Sequence, residues 1–210
     1  MAISVVLFDI GGVLERVGDP DVVIAPKWQD LLGLSAVQFG AALASVDPDR
    51  LSQTGAMSEA EYRQRTAAVL GLSRAQADEF MADMWDWYCG ELDSELRDFA
   101  RSLRPRWRTA ILSNSGDGAR REEQARYGFH DDFDPILYSH EIGLAKPDSA
   151  VYQLTCDRLG VAPSELIFID DVPANVAAAA TFGIHAIEHT STPATIRAVR
   201  SLLAQPESGS

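Results

Sequence analysis

A short, almost continuous apolar run, Ile3 to Phe8, is followed by Asp9, an isoleucine and two glycines. Such a run is typical of a strand that is buried on both faces of a parallel sheet. After Leu92, short apolar runs alternate with helical patterns. This region predicts strands at 109–112, 135–138, 166–169 and 184–187, and helices at 95–103, 118–127 and 149–159 and from Pro173 and Pro193. The alternation predicts an α/β fold with a doubly wound, mainly parallel, Rossmann-like sheet.

The stretch between these two regions has a helical pattern throughout. Three capping patterns mark helix starts, at Ser35–Gln38, Ser58–Glu61 and Ser73–Gln76. In each, the serine hydroxyl can cap the first turn while the later side chain reaches back to the backbone of the serine. Together with an apolar segment at 22–32, they predict about four helices between residues 20 and 88.

The 210 residues, 46% hydrophobic and 23% charged, suffice for a core domain with a smaller insertion. We expect a core domain of residues 1–16 and 89–210, with an all-helical domain of residues 17–88 inserted after the first strand. No apolar run approaches the roughly 18 residues of a transmembrane helix, and the first residues do not resemble a signal peptide. Two cysteines are too few for a disulfide framework, so we expect a reduced, cytoplasmic setting.

The charge of the chain bears on its partners. The formal net charge is −13, which repels nucleic-acid backbones and acidic lipid surfaces, so we expect neither as a partner. Of the 18 basic residues, 16 are arginine and only Lys27 and Lys146 are lysine. The choice of lysine at position 146 therefore indicates a site that requires a compact ammonium group. Whether the protein is a monomer or a homodimer stays open.

Polar residues stand where the predicted strands end. The first strand ends at Asp9, the next at Ser113 and Asn114, and a third at Asp170 and Asp171. Ligands of a doubly wound sheet bind at the carboxyl ends of its strands, so these side chains should lie together. Lys146 precedes a predicted helix and should reach the same edge. Converging carboxylates with few cations predict a hard divalent metal, most simply Mg²⁺ with retained waters.

This set of residues contains the parts needed for phosphoryl transfer. A carboxylate can act as nucleophile, a metal and a lysine can offset phosphate charge, and a hydroxyl can donate to phosphate oxygens. Gly11 and Gly12 allow a close approach of backbone N–H groups to those oxygens.

The motifs resemble those of the haloacid dehalogenase superfamily. Phe-Asp-Ile-Gly-Gly-Val-Leu at 8–14 resembles an Asp-x-Gly-Gly variant of the first motif, and Ile-Leu-Ser-Asn at 111–114 resembles the second. Lys-Pro at 146–147 resembles the third, and Phe-Ile-Asp-Asp-Val-Pro-Ala-Asn at 168–175 the fourth. The insertion resembles the branch with a small helical cap after motif one, and residues 53–59 resemble its turn that faces the active site.

The resemblance implies a role for each matching residue. Asp9 would attack phosphorus and form an aspartyl-phosphate. Ser113 and the backbone of Asn114 would hold phosphate oxygens, and Lys146 would neutralise charge. The implied metal set is Asp9, the Gly11 carbonyl and Asp171, with Asp170 acting through a water or sharing the ligation, and Asn175 bracing the loop.

One position departs from the family pattern. Most of its phosphatases carry a second aspartate where this chain has Gly11, and this aspartate supplies general acid–base help worth typically about 10²–10⁴-fold. We therefore expect a preference for easily departing groups: sugar 1-phosphates, aryl phosphates or acyl phosphates. Glu15 is a less favoured alternative proton donor.

These residues lead to one principal function and two alternatives. The principal prediction is a Mg²⁺-dependent phosphatase acting on a small cytosolic phosphate monoester. One alternative is a catalytically impaired phosphate-binding or regulatory protein, which Gly11 favours. The other is a 2-haloacid dehalogenase, which the paired Asp170 and Asp171 oppose because such enzymes need no metal.

An aromatic and methionine cluster in the insertion is interpreted as packing rather than a substrate pocket: Phe80, Met81, Met84, Trp85, Trp87 and Tyr88.

Overall fold

The structure is a computed structural model that describes residues 2–204. Residues 205–210, for which the sequence predicts a frayed tail, lie outside the described residues. Seven strands are formed: β1 (Val5–Phe8), β2 (Glu15–Arg16), β3 (Glu91–Leu92), β4 (Arg108–Ser113), β5 (Ile136–Tyr138), β6 (Leu166–Asp170) and β7 (His185–Glu188). Five of them form one parallel sheet in the order β5-β4-β1-β6-β7. The predicted α/β fold is confirmed, and each predicted strand begins and ends within two residues of the observed one.

The helices follow the predicted alternation. They are α1 (Pro20–Val23), α2 (Ala25–Leu32), α3 (Ala36–Ala44), α4 (Glu59–Leu70), α5 (Arg74–Cys89), α6 (Ser94–Leu103), α7 (Ala119–Tyr127), α8 (Ser139–Ile142), α9 (Ser149–Leu159), α10 (Pro173–Phe182) and α11 (Thr192–Leu203). Pro173 and Pro193 both stand in the first turn of a helix, where the absent N–H has no intrahelical acceptor to lose. No helix among residues 2–204 is both long enough and apolar enough to cross a bilayer.

Strand β1 runs through the centre of the core. Val6 and Phe8 pack on one side of the sheet and Val5 and Leu7 on the other, and all four are fully buried. The apolar run has no polar alternation because both faces of the strand are covered. Asp9 therefore stands at the end of a fully buried strand, at the carboxyl edge of the sheet.

Helices α1–α5, here called the helical segment (20–89), pack around their own apolar cluster, which includes Trp28, Phe39 and Phe80. Two of the predicted capping boxes are complete, those that begin at Ser35 and Ser73. At Ser58 only half forms: its hydroxyl accepts from the Glu61 N–H, whereas the Glu61 carboxylate pairs with an arginine one turn later.

A small antiparallel ladder joins the helical segment to the rest of the chain. Strands β2 and β3 pair Glu15 with Leu92 and Arg16 with Glu91. The sequence analysis did not predict this ladder, because two-residue strands have no period to detect. It stands beside the expected boundaries of the insertion, and the division into two domains stays a proposal.

Direct contacts hold the helical segment over the carboxyl edge of the sheet. The Glu59 carboxylate binds Arg121 of α7, and its N–H donates to Asp117 in the loop after β4. Gly55, at φ 73°, lies so close to the His140 carbonyl that a methyl group there would overlap it. The turn at 53–59 therefore lies near the strand ends, and its part in a cap stays a proposal.

Candidate active site

One buried ammonium group joins two strand ends. The Lys146 Nζ lies 2.8 Å from Asp9 Oδ1 and 2.7 Å from Asp170 Oδ2, and it donates to the Leu112 carbonyl at 3.1 Å. Its side chain is completely shielded from solvent. The three acceptors match the three N–H bonds of an ammonium group. The predicted convergence of Asp9, Lys146 and Asp170 is thus observed.

Asn114 positions this lysine. Its side-chain Nδ2 donates to the Lys146 carbonyl at 2.8 Å, and its Oδ1 accepts from the Lys146 N–H at 2.9 Å. The amide group thereby fixes the loop 143–147 against the end of β4. The side chain of Asn114 is committed to this contact, and the predicted role of its backbone in binding a phosphate oxygen stays a proposal.

Asp170 is held on both oxygens. Its Oδ1 accepts from the Val172 N–H, its Oδ2 accepts from Lys146, and Asn175 Nδ2 lies 3.0 and 3.1 Å from the two oxygens. The carboxylate is fully buried. These contacts leave little free capacity for a direct metal bond and suit a role through a bound water. Asn175 stands where the resemblance implied, bracing this loop.

The residues fit a divalent cation. Asp9, Asp170 and Asp171 each offer an oxygen, and these oxygens lie within 4.8 Å of one another. Lys146 pairs with two of the three carboxylates, so the cluster keeps an excess of negative charge. Among the described residues neither the N–H nor the carbonyl of Gly11 has a hydrogen-bond partner. Hard cations prefer this kind of all-oxygen set.

Gly12 makes room for the third carboxylate. It has φ 75°, and a methyl group at its Cα would overlap the Asp171 carboxylate. The expectation that its N–H is free for phosphate is wrong, because that N–H donates to the Glu15 carbonyl at 2.8 Å. The turn 9–15 folds back on itself and uses this donor. Gly11 keeps the free N–H of the pair.

We expect Gly12→Ala to weaken metal binding, because the added methyl must displace Asp171. The Mg²⁺ concentration for half-maximal activity should rise about 10–100-fold, as is usual when a group supporting a metal ligand is disturbed. Gly11→Ala is the matched control, since a Cβ there meets no atom within 4 Å and its φ is not positive. Equal Mg²⁺ requirements in the two variants would contradict this role of Gly12.

Ser113 ends β4 with its hydroxyl unused. The residue is 2% exposed, and its side chain makes no hydrogen bond within residues 2–204. It directly precedes Asn114 and follows Leu112, whose carbonyl accepts from Lys146. Its position is compatible with the predicted contact to a phosphate oxygen, which stays a proposal.

The electrostatics of the site favour a bound cation. Burial raises the pKa of Asp9 to about 7; Lys146 opposes this and Asp170 adds to it. Burial, with Asp170 next, also raises the pKa of the Asp171 carboxyl. A carboxyl with a pKa near neutrality is only partly ionised, and a nearby divalent cation would lower its pKa.

A second pair of acids lies buried near Asp9; the sequence offers one of them, Glu15, as an alternative proton donor but indicates neither its burial nor its neighbour Glu123. Glu15 and Glu123 are both fully shielded, and neither oxygen of Glu15 has a partner within the described range. Glu123 accepts a short hydrogen bond from the Tyr138 hydroxyl. Burial, reinforced by Glu123 and Asp9, raises the pKa of Glu15 to about 10. Burial raises the pKa of Glu123 to about 8, against the bond from Tyr138. Glu15 is therefore protonated at neutral pH.

We expect Glu15→Gln to stabilise the protein at alkaline pH. The folded-state pKa of Glu15 lies above the usual 4.5, so its contribution to stability is fully present below that pH and is lost as pH rises towards 10. The side-chain amide of glutamine does not ionise, so it adds no such dependence of stability on pH. Urea unfolding at pH 8 should show a gain of about 1–3 kcal/mol that vanishes near pH 4.5. The exposed Glu95→Gln is the control, and equal effects in both variants would contradict the prediction.

Comparisons with known proteins identify the family of the chain. A family model described as haloacid dehalogenase-like hydrolase matches residues 3–183. D-ribitol-5-phosphate phosphatase of Bacteroides thetaiotaomicron is 25% identical over 185 residues, 81% of this chain and 84% of that protein. (S)-2-haloacid dehalogenase 1 of a Pseudomonas strain is 35% identical over 79 residues, 38% of this chain. The match spans only 35% of that dehalogenase.

The fold also matches a solved structure. A HAD family enzyme of Bacteroides thetaiotaomicron, crystallised with magnesium and inorganic phosphate, superposes with a TM-score of 0.73 at 22% identity. The match covers 89% of this chain and 94% of that enzyme.

Proposed function

The chain belongs to the haloacid dehalogenase-like hydrolases, and we propose that it is a Mg²⁺-dependent phosphatase acting on a small cytosolic phosphate monoester. One observation carries the proposal: a single buried lysine joins Asp9 to Asp170 at the carboxyl edge of the sheet, with Asp171 beside them. This arrangement offers a carboxylate nucleophile, a fixed positive charge and an oxygen-rich metal site within one pocket.

Each residue takes a separate part in the proposed reaction. An Asp9 oxygen attacks phosphorus, the bond to the leaving oxygen breaks, and water then hydrolyses the aspartyl-phosphate to regenerate Asp9. Lys146 stabilises the negative charge on Asp9 and on the phosphate. The Ser113 hydroxyl and the N–H groups of Gly11 and Asn114 bind phosphate oxygens. Asp9, Asp171 and the Gly11 carbonyl would hold Mg²⁺, which supplies charge neutralisation when bound.

The relatives support this proposal at the level of reaction class. One is named as a phosphatase of a sugar-alcohol phosphate, and the structural neighbour was crystallised with magnesium and phosphate. We further propose that residues 17–88 form a cap over the site. Its turn at 53–59 lies against the loop that follows β4 and against helix α8, which follows β5.

The test measures two products with one enzyme preparation. Phosphate release from an aryl phosphate and chloride release from 2-chloropropionate are followed with and without Mg²⁺, alongside Asp9→Asn. Phosphate release that needs both Mg²⁺ and Asp9 is the expected result. Metal-independent chloride release would instead establish a dehalogenase. Phosphate binding without turnover of either compound would establish a phosphate-binding protein.

We expect Gly11→Asp to add the missing general acid. The position is open, since a Cβ at Gly11 meets no atom within 4 Å and its φ is not positive. Turnover of alkyl phosphates should rise about 10–100-fold relative to aryl phosphates, because poor leaving groups gain most from protonation. Gly11→Asn, which cannot donate a proton in the same way, is the matched control. A flat dependence of wild-type kcat on leaving-group acidity, with chemistry rate-limiting, would contradict the leaving-group hypothesis.

A further inference from the structure

A mostly apolar cavity of about 200 Å³ lies between the helical segment and the loop 114–117. Side chains of α4 and α5 form its apolar wall: Tyr62, Met81, Met84, Trp85, Trp87 and Tyr88. The interpretation of the aromatic cluster as packing holds for Phe80, which is 2% exposed and packs edge-on against Trp28. It is incomplete for the other members, because they also border this open space.

The cavity borders the proposed catalytic pocket at Asn114. Asn114 lines it, and the same Asn114 side chain binds the backbone of Lys146. The Lys146 ammonium in turn lies 2.8 Å from Asp9. Ser115 and Gly116, the next two residues after Asn114, also border the cavity. The cavity therefore begins one residue after Ser113, next to the proposed phosphate site.

Several of the polar groups that line the cavity already have hydrogen-bond partners. The Ser52 hydroxyl donates to Asp47 at 2.6 Å, and the Ser115 hydroxyl pairs with His140 at 2.9 Å. The Glu59 carboxylate accepts from Trp85 and from Arg121. A sugar or polyol here would face mostly apolar side chains, and each of its buried hydroxyls that found no partner would weaken binding.

We propose that the substrate is the phosphate monoester of a neutral aromatic alcohol or phenol, whose ring occupies this cavity. The inference rests on the proposed phosphatase function. A dry cavity of about 150 Å³ suffices to bind benzene, so the observed volume accommodates a single ring. Methionine sulfur also makes favourable contacts with aromatic rings. The acidic side chains of Glu59 and Asp117 disfavour a second negative charge on the substrate.

The proposed reaction needs no reactant other than water. The bond between phosphorus and the aromatic ester oxygen breaks as an Asp9 oxygen bonds to phosphorus. The departing oxygen takes a proton from water, and a second water releases inorganic phosphate from Asp9. The ring itself is unchanged throughout.

The test distinguishes the effect of an aromatic ring on turnover from the effect of leaving-group acidity. Benzyl phosphate and ribitol 5-phosphate both release an alkyl alcohol, but only the first carries a ring. Acetyl phosphate, which has no ring and an easily departing group, reports the phosphatase activity itself. With Mg²⁺ we expect kcat/KM for benzyl phosphate to exceed that for ribitol 5-phosphate by about tenfold or more.

Each outcome judges the two proposals separately. If acetyl phosphate is hydrolysed but ribitol 5-phosphate is preferred, the aromatic assignment is wrong while the phosphatase stands. The polyol would then occupy the polar opening beside Asp171, which Arg16, His189 and Ser191 line. If none of the three is hydrolysed, the phosphatase proposal is wrong. The cavity is then judged by calorimetry, where benzylphosphonate must bind more tightly than methylphosphonate with Mg²⁺ present.

A variant of the cavity wall adds a second test. Met84→Gln keeps a similar size but adds polar atoms, and it should lower the ratio of benzyl to acetyl phosphate turnover at least about fivefold. Leu31→Gln alters an exposed apolar residue of the same helical segment and should leave that ratio unchanged. An unchanged ratio in Met84→Gln would overturn the assignment. If Met84→Gln does not fold, the benzyl to ribitol comparison in the wild type decides.

Discussion

Asp9→Asn should reduce Mg²⁺-dependent phosphate release by at least about 10⁴-fold, the scale expected when a nucleophile is removed. The amide has nearly the shape of the carboxylate and can still accept from the Ile10 N–H, as Asp9 does at 2.8 Å. It cannot form a stable acyl-phosphate, and it removes one of the carboxylates around the metal site. Steady-state phosphate release and a single-turnover search for phosphorylated enzyme both measure the effect.

The same substitution should leave the fold intact. When the Asp9 carboxylate is lost, Lys146 stays paired with Asp170 at 2.7 Å. The substitution therefore leaves no buried charge without a partner. The stability of Asp9→Asn should therefore equal or exceed that of the wild type at pH 7, where burial opposes the ionisation of Asp9. Asp98→Asn, at a largely exposed carboxylate, is the control for an unspecific charge effect. Residual activity above about one hundredth of wild type would contradict the nucleophile assignment.

Structure could be predicted from the sequence where a hydrophobic pattern repeats or where the sheet topology brings strand ends to the same edge. The apolar run before Asp9 predicts a strand covered on both faces, and such a strand lies at the centre of the observed sheet. Because parallel strands end at one edge, the residues at those ends, Asp9, Ser113 and Asp170, could be placed together without coordinates.

Other features depend on distances between residues, and a single sequence does not give those distances. Glu15 follows the apolar pair Val13 and Leu14, yet nothing in its spacing distinguishes a buried acid from an exposed one. Its partner Glu123 lies on a helix more than one hundred residues later. The sequence predicts that the N–H groups of Gly11 and Gly12 can approach phosphate oxygens, because glycine has no side chain to prevent it. The tight turn back to Glu15 became visible only in the structure.

Lys146→Met should cost both activity and stability. The side chains are similar in length, but methionine leaves Asp9 and Asp170 buried against each other without the ammonium that lies within 2.8 Å of both. Removing one partner of a buried charge pair typically costs about 3–5 kcal/mol. The pKa of Asp9 should rise above its value of about 7, because Lys146 now lowers it. The nucleophile would then be protonated at neutral pH, and kcat should fall by about 10³-fold or more.

Two further variants distinguish the effect of the shape of the Lys146 side chain from the effect of its positive charge. Lys146→Arg keeps the positive charge, but three acceptors converge on one nitrogen at 2.7 to 3.1 Å, and a planar guanidinium cannot meet all three from a single point. We therefore expect no rescue of activity by arginine. Lys27→Met alters the other lysine of the chain, which is 47% exposed and pairs with acids on the helical segment, and it should leave kcat unchanged. The stability loss in Lys146→Met should shrink as pH falls, because Asp9, whose pKa is already raised by burial, can then take up a proton and become neutral. Urea unfolding at pH 5 and pH 8 measures this difference, and an equal loss at both values would show that Lys146 acts there through packing rather than through its charge.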